Sequence, residues 1–299
     1  MQKQVSFDAL LPPAMAQKAE DAGVAKVSLG FYRMLALAVL AGAFIALGAV
    51  LATTATTGLG GLPFGLVKLV GGLTFCLGLI LVVVAGAELF TGNNLIVMAW
   101  ANGRVSTRQL LRNWGVVYLG NFIGALATAV LIFFSGQYLF NNGGVGLNAL
   151  NIAHAKVQFT FVQAFLLGAF CNALVCLAVW LCASARSTTD KILAIIFPIT
   201  AFVACGFEHS IANMYFIPVG LLIRGAAPAA FWTSIGQATG DYTALTWANF
   251  FVRNLVPVTL GNIVGGAVMV GFAYWFIYLR PSWTGRAGAI RPAAGIKEG

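Results

Sequence analysis

Residues 86–94 read Gly86-Ala87-Glu88-Leu89-Phe90-Thr91-Gly92-Asn93-Asn94, and residues 206–214 read Gly206-Phe207-Glu208-His209-Ser210-Ile211-Ala212-Asn213-Met214. Each stretch sets a glycine, a carboxylate and, five residues later, an asparagine inside a run that is otherwise apolar. The runs that hold them, roughly 64–100 and 189–221, are too long for single membrane crossings, which need about 20 residues each. Polar backbone breaks at membrane depth are tolerated only where they line a cavity or are buried in protein. Both runs therefore read as broken helices, and the rest of the chain is organised around them.

The composition supports a membrane setting. Of 299 residues, 60% are apolar by type and 8% are charged, whereas soluble domains carry about 25% charged residues. A mean hydropathy of +0.90 cannot be clothed by a polar surface at this size. The chain is read as an all-α polytopic membrane protein, which excludes disordered, collagen-like, coiled-coil and disulfide-scaffold classes. The net charge of +9 does not signal nucleic acid, because the basic residues lie in short loops and tails, as membrane topology requires. The five cysteines, Cys76, Cys171, Cys176, Cys182 and Cys205, sit in apolar stretches with no CxxC pair. They read as small hydrophobes rather than metal ligands. No cofactor or metal is expected.

Six spans are expected, at roughly 29–53, 64–100, 113–136, 157–183, 189–221 and 247–279. With the N-terminus in the cytoplasm, thirteen Lys and Arg residues fall inside and four outside: Lys68, Lys156, Arg224 and Arg253. That bias makes both termini cytoplasmic. Ahead of the channel domain (29–280), residues 1–28 hold a mildly amphipathic segment. It is expected to form a helix over Pro12–Lys26 lying on the membrane surface. The Gly/Ala/Pro-rich end, 281–299, reads as a loose tail.

The two halves resemble each other. Gly86, Glu88 and Asn93 match Gly206, Glu208 and Asn213; Arg112-Asn113 and Leu119-Gly120-Asn121 match Arg253-Asn254 and Leu260-Gly261-Asn262. Each half (about 29–136 and 157–279) holds three spans, an odd number, so the second is inverted relative to the first. Inverted repeats of this kind put the substrate at the midplane, where discontinuous helices meet. The pairs Gly120/Gly124 and Gly261/Gly265 let helices approach closely, within or between subunits.

Apart from Asp190 at the very start of the run 189–221, Glu88 and Glu208 are the only acidic residues inside the spans, and intramembrane carboxylates are functional by default. Lys26 and Lys156 precede equivalent spans, so two Lys–Glu–Asn clusters are expected, Lys26–Glu88–Asn93 and Lys156–Glu208–Asn213. Two roles stay open: a structural clamp on each broken helix, or the wall of a pore vestibule. His209 breaks the symmetry, since its counterpart is Leu89. Imidazole titrates near neutrality and can shuttle a proton, and Thr91 on the other break is placed to hydrogen-bond it. His154 falls in an outside loop, Asn148–Lys156, and reads as bland. The half-helix N-termini would face the pore and favour an anion. A single intramembrane histidine argues against haem, and no nucleophile–base–orienter set suggests an enzyme.

These paired motifs resemble the formate/nitrite transporter family over about residues 25–280, and their detail looks closer to its formate members than to its nitrite or hydrosulfide members. The resemblance implies an aquaporin-like six-span protomer with an inverted 3+3 repeat, assembled as a homopentamer in the bacterial inner membrane with one pore per protomer. It implies that His209 is the central pore histidine with Thr91 opposite, and that Asn172 and Asn262 are polar pore neighbours. Phe75, Leu79, Leu89, Val175 and Phe202 are assigned to the apolar constrictions. The expected solutes are formate, other small monocarboxylates or nitrite, with protons coupled through His209. Membrane lipid is a further partner, and a cytoplasmic protein could meet the N-terminal helix. A neutral-solute aquaporin-type pore is a rival reading, but its Asn-Pro-Ala pairs are missing here.

Overall fold

The computed structural model describes residues 9–280; the first eight residues and the expected tail over 281–299 lie outside the described residues. The described part is built of helices joined by turns and short loops, with no strand among the described residues. An N-terminal helix, Pro12–Val27, is followed by a first span, Phe31–Thr56, and a second in two arms, Phe64–Ala85 and a shorter stretch over 90–101. The third span, Thr107–Phe134, closes the first half. After a helix at Gly144–Lys156 come the fourth span, Phe161–Ser184, a fifth in two arms, Thr188–Ala204 and Ser210–Ala226, and a sixth over 247–279.

Local chemistry moves two starts away from those expected from hydropathy. The third span begins at Thr107 because Ser106 Oγ accepts from the Gln109 amide at 3.3 Å while Gln109 Oε1 accepts from the Ser106 amide at 2.9 Å. The fourth begins at Phe161 for the same reason, through Thr160 and Gln163. Such reciprocal caps satisfy two otherwise orphaned donors. His154 corrects a reading: it lies within the helix Gly144–Lys156, not in a loop. Pro198 interrupts nothing, because the first arm of span five runs past it to Ala204.

The glycine pairs act within one chain. A Cβ on Gly124 would strike the Val39 carbonyl, and one on Gly261 or Gly265 would strike the carbonyls of Phe165 or Ala169. Span three thus packs backbone-to-backbone on span one, and span six on span four, the same relation in each half.

The N-terminal helix is not left free on a surface. Met15 and Ala16 are buried in a cluster with Leu95, Met98, Cys176, Trp180 and Val270. Lys18 Nζ donates to the Ala183 carbonyl at 2.7 Å, and Trp275 Nε1 donates to Asn102 Oδ1 at 3.1 Å. The beginning and the end of the described chain therefore meet on one face, hereafter the near face; the opposite face carries the loop after span one and the helix Gly144–Lys156.

Candidate functional site

Each broken span is opened by a glycine in the left-handed region, Gly86 at φ 81° and Gly206 at φ 72°. A Cβ at either position would meet nothing within 4 Å, so the requirement is conformational rather than steric. Beyond each glycine the chain runs extended and then restarts as a half-helix whose first amides have no helical partner. An asparagine from another span supplies one. Asn121 Oδ1 accepts from the Phe90 amide at 2.9 Å, and its Nδ2 donates to the carbonyls of Ala38 (2.7 Å) and Glu88 (2.9 Å). Asn262 repeats this on the other break: Oδ1 accepts from Ser210 N at 2.9 Å, and Nδ2 donates to Gly168 O (2.8 Å) and Glu208 O (3.0 Å). Asn262 is thus a brace of the break, fully buried, with its amide committed to the backbone rather than turned to a pore.

The two Lys–Glu–Asn clusters form as the repeat requires. Lys26 Nζ lies 2.8 Å from Glu88 Oε1, and Asn93 Nδ2 donates to Glu88 Oε2 at 2.7 Å. Lys156 Nζ lies 2.7 Å from Glu208 Oε1, and Asn213 Nδ2 donates to Glu208 Oε2 at 2.7 Å. Both carboxylates are buried, and both clusters hold a further asparagine. Asn113 Oδ1 accepts from Asn93 at 2.9 Å, and Asn254 Oδ1 accepts from Asn213 at 2.7 Å while its Nδ2 donates to the Lys156 carbonyl at 2.8 Å. On both sides the ion pair ties a broken span to the segment preceding another helix. Glu208, Lys156 and Asn213 also face open space.

That space is a cavity of about 430 Å³ entered from the far face. Its wall includes Lys68, Phe75, Lys156, Phe202, Glu208, His209 and Asn213. Phe75 and Phe202 meet edge to face with ring centroids 5.7 Å apart, and Phe202 stacks on His209 at 5.9 Å. Two of the five expected constriction residues thus stand beside the histidine. Leu79, Leu89 and Val175 are buried in the same apolar core but form no part of that cavity wall.

His209 is held at both ring nitrogens. Nδ1 accepts from the Ala212 amide at 3.0 Å, capping the second half-helix. Nε2 lies 3.0 Å from Thr91 Oγ1, on the first half-helix. Because Nδ1 accepts, the neutral ring carries its proton on Nε2 and donates to Thr91. A single hydrogen bond therefore joins the two breaks. Behind it, Asn172 Nδ2 reaches the carbonyls of Thr91 (3.2 Å) and Asn262 (2.7 Å) and Asn94 Oδ1 (2.8 Å). Asn172 is a fully buried strut between the halves.

Sequence reading gave no chemical role to Asn113, Asn121 or Asn254. The signal was present, since all three lie in the dipeptides and tripeptides that repeat between the halves. What those amides bond to depends on which spans pack together, and that is not written in either motif alone. Among the described residues no group of three or more His, Cys, Asp or Glu side chains is placed to hold a metal ion.

The chain is similar to known proteins over most of its length. The family model described as formate/nitrite transporter matches residues 13–276. The formate channel FocA of Escherichia coli K12 is 52% identical over 274 residues, covering 92% of this chain and 96% of that protein. The FocA channel of Haemophilus influenzae is 46% identical, covering 90% and 95%. A solved structure described as a pentameric formate channel with formate bound superposes with a TM-score of 0.80 at 49% identity, covering 84% of this chain and 98% of that one. These relatives are channels, not enzymes.

Proposed function

The chain belongs to the formate/nitrite transporter family, and from that premise we propose that it carries formate, with nitrite and other small monocarboxylates as lesser solutes, through one pore in each of five protomers. The observation that carries this reading is the His209–Thr91 hydrogen bond, which joins the two breaks at the floor of a cationic, phenylalanine-lined cavity. In the proposed setting, a bacterial inner membrane, the far face is periplasmic and the near face, with both chain termini and the N-terminal helix, is cytoplasmic. A soluble partner would meet that helix there.

Formate arrives as the anion, because carboxyls titrate near pH 4. The far-face cavity draws it in, but the Phe75–Phe202 pair cannot pass a bare charge at acceptable cost. A low-dielectric site favours the neutral form of a carboxyl. In the proposed relay, a protonated His209 hands a proton to the bound anion, formic acid crosses the slit, and the ring is recharged through Thr91 or water. For the ring to hold a second proton, Nδ1 must first release the Ala212 amide, since two N–H groups cannot face each other. The relay thus couples charging of His209 to loosening of one helix cap. That same Nδ1 contact favours a second reading, in which neutral His209 donates Nε2–H to the anion and keeps its proton.

Labelled formate and nitrite, offered separately to vesicles holding the purified protein, test the solute assignment. Formate uptake faster than nitrite uptake supports it; nitrite uptake without formate uptake overturns it in favour of a nitrite channel.

A further inference from the structure

The far-face cavity wall bears three formal charges, those of Lys68, Lys156 and Glu208. Lys156 and Glu208 lie 2.7 Å apart, so toward the cavity they act as a nearly neutral dipole. Lys156 Nζ also sits 5.4 Å from the centre of the Phe216 ring, which holds it in place. The surplus positive charge therefore belongs to Lys68. That residue stands in the first two turns of the arm Phe64–Ala85. It is half-buried and engages no carboxylate among the described residues. Its ammonium lies 5.2 Å from the centre of the Phe64 ring, one helical turn back, a contact that positions a cation without neutralising it.

We propose that Lys68 is the anion-docking residue of this vestibule, holding a small monovalent anion in a still-hydrated state at the mouth, before His209 and the phenylalanine slit are reached. The inference rests on the anion-channel reading above and adds a separate residue to it. The division of labour follows from the pairing. Lys156 is committed to Glu208, and withdrawing it would leave a buried carboxylate uncompensated. Lys68 can attract and release an anion without disturbing any clamp. Docking in water is weak, which suits a channel: an anion must be bound firmly enough to enter and loosely enough to leave.

The magnitude can be set in advance. A unit charge acting through water at roughly 7 Å changes occupancy about threefold, and reversing its sign changes it about eightfold. Screening by salt removes most of this, since the Debye length falls to roughly 3 Å at 1 M. The test measures initial formate entry from the far face into vesicles as a function of formate concentration, for wild type and for Lys68→Arg, Lys68→Gln and Lys68→Glu. At low ionic strength the half-saturating concentration should rise about threefold in Lys68→Gln and about eightfold in Lys68→Glu. It should stay at the wild-type value in Lys68→Arg, and all four should converge in high salt. Equal half-saturation across the permeable set at low ionic strength overturns the docking role and leaves the channel reading standing. Wild-type vesicles impermeable to formate overturn the channel reading itself, and the docking role with it.

Discussion

Replacing Asn262 with leucine, a side chain of similar volume that cannot hydrogen-bond, should unseat the second broken span. Three contacts vanish: the Ser210 amide, the Glu208 carbonyl and the Gly168 carbonyl lose their bonds of 2.9, 3.0 and 2.8 Å. Gly168 lies inside span four, where its carbonyl has a helical partner. The other two groups lie at the break, where the helical pattern supplies nothing. Each orphaned buried group costs about 1–3 kcal/mol, so Asn262→Leu should lose about 2–6 kcal/mol, a large part of a typical stability of about 5–15 kcal/mol. By symmetry Asn121→Leu should lose a similar amount, because it strips the Phe90 amide and the Glu88 carbonyl in the same way. The assay is denaturant unfolding of the purified protein in mixed micelles, followed by tryptophan fluorescence. A loss under about 1 kcal/mol in both variants, less than a single orphaned group should cost, would refute the brace and with it the equivalence of the two breaks.

Gly124→Ala and Gly261→Ala place a methyl against the carbonyls of Val39 and Phe165, where backbone must move; each should destabilise by about 1–3 kcal/mol or more, read in the same unfolding assay, while Gly65→Ala, which meets nothing within 4 Å, should not. Phe202→Ala removes one side of the ring pair beside His209 and should raise the leak of other small solutes into vesicles; unchanged selectivity would put the slit elsewhere. Asp21 accepts from Arg104 at 2.6 Å, and the Arg104 hydrogen bond, then that from Gln17, holds its carboxyl below the usual carboxylate range. A depressed folded-state value means stability present above the unfolded value of about 4 and lost as pH falls through the lower, folded one. Hydrogen-exchange protection factors over Pro12–Val27, taken against the intrinsic rate at each pH, should therefore fall as pH drops below about 4, more in wild type than in Asp21→Asn.

The apolar spans, both breaks and both Lys–Glu–Asn clusters were legible in the sequence because each rests on a strong local signal. These are long apolar runs, a glycine where φ must be positive, and charged residues where charge is costly. The Thr91–His209 contact was legible for a different reason, since the repeat maps one break onto the other. Residues whose work depends on tertiary packing were harder to read. Asn172 and Asn262 were placed beside a pore from resemblance; their amides bond backbone groups of neighbouring segments, partners that only the packing decides. The N-terminal helix was read from its own mild amphipathicity as lying on a membrane surface; its apolar side is covered by protein, because the half-helix over 90–101 and spans four and six present a complementary face. His154 was assigned to an outside loop, Asn148–Lys156, but a helix runs from Gly144 to Lys156.

The relay at His209 is tested most directly by formate flux against pH, in both directions, in vesicles holding wild type or His209→Asn. Asparagine keeps a polar group at the floor of the cavity but cannot titrate. The proton relay predicts that His209→Asn loses acid-driven uptake while retaining export at neutral pH. A wild-type pH profile in both directions would contradict it and leave His209 as a polar lining residue that never gives up its proton.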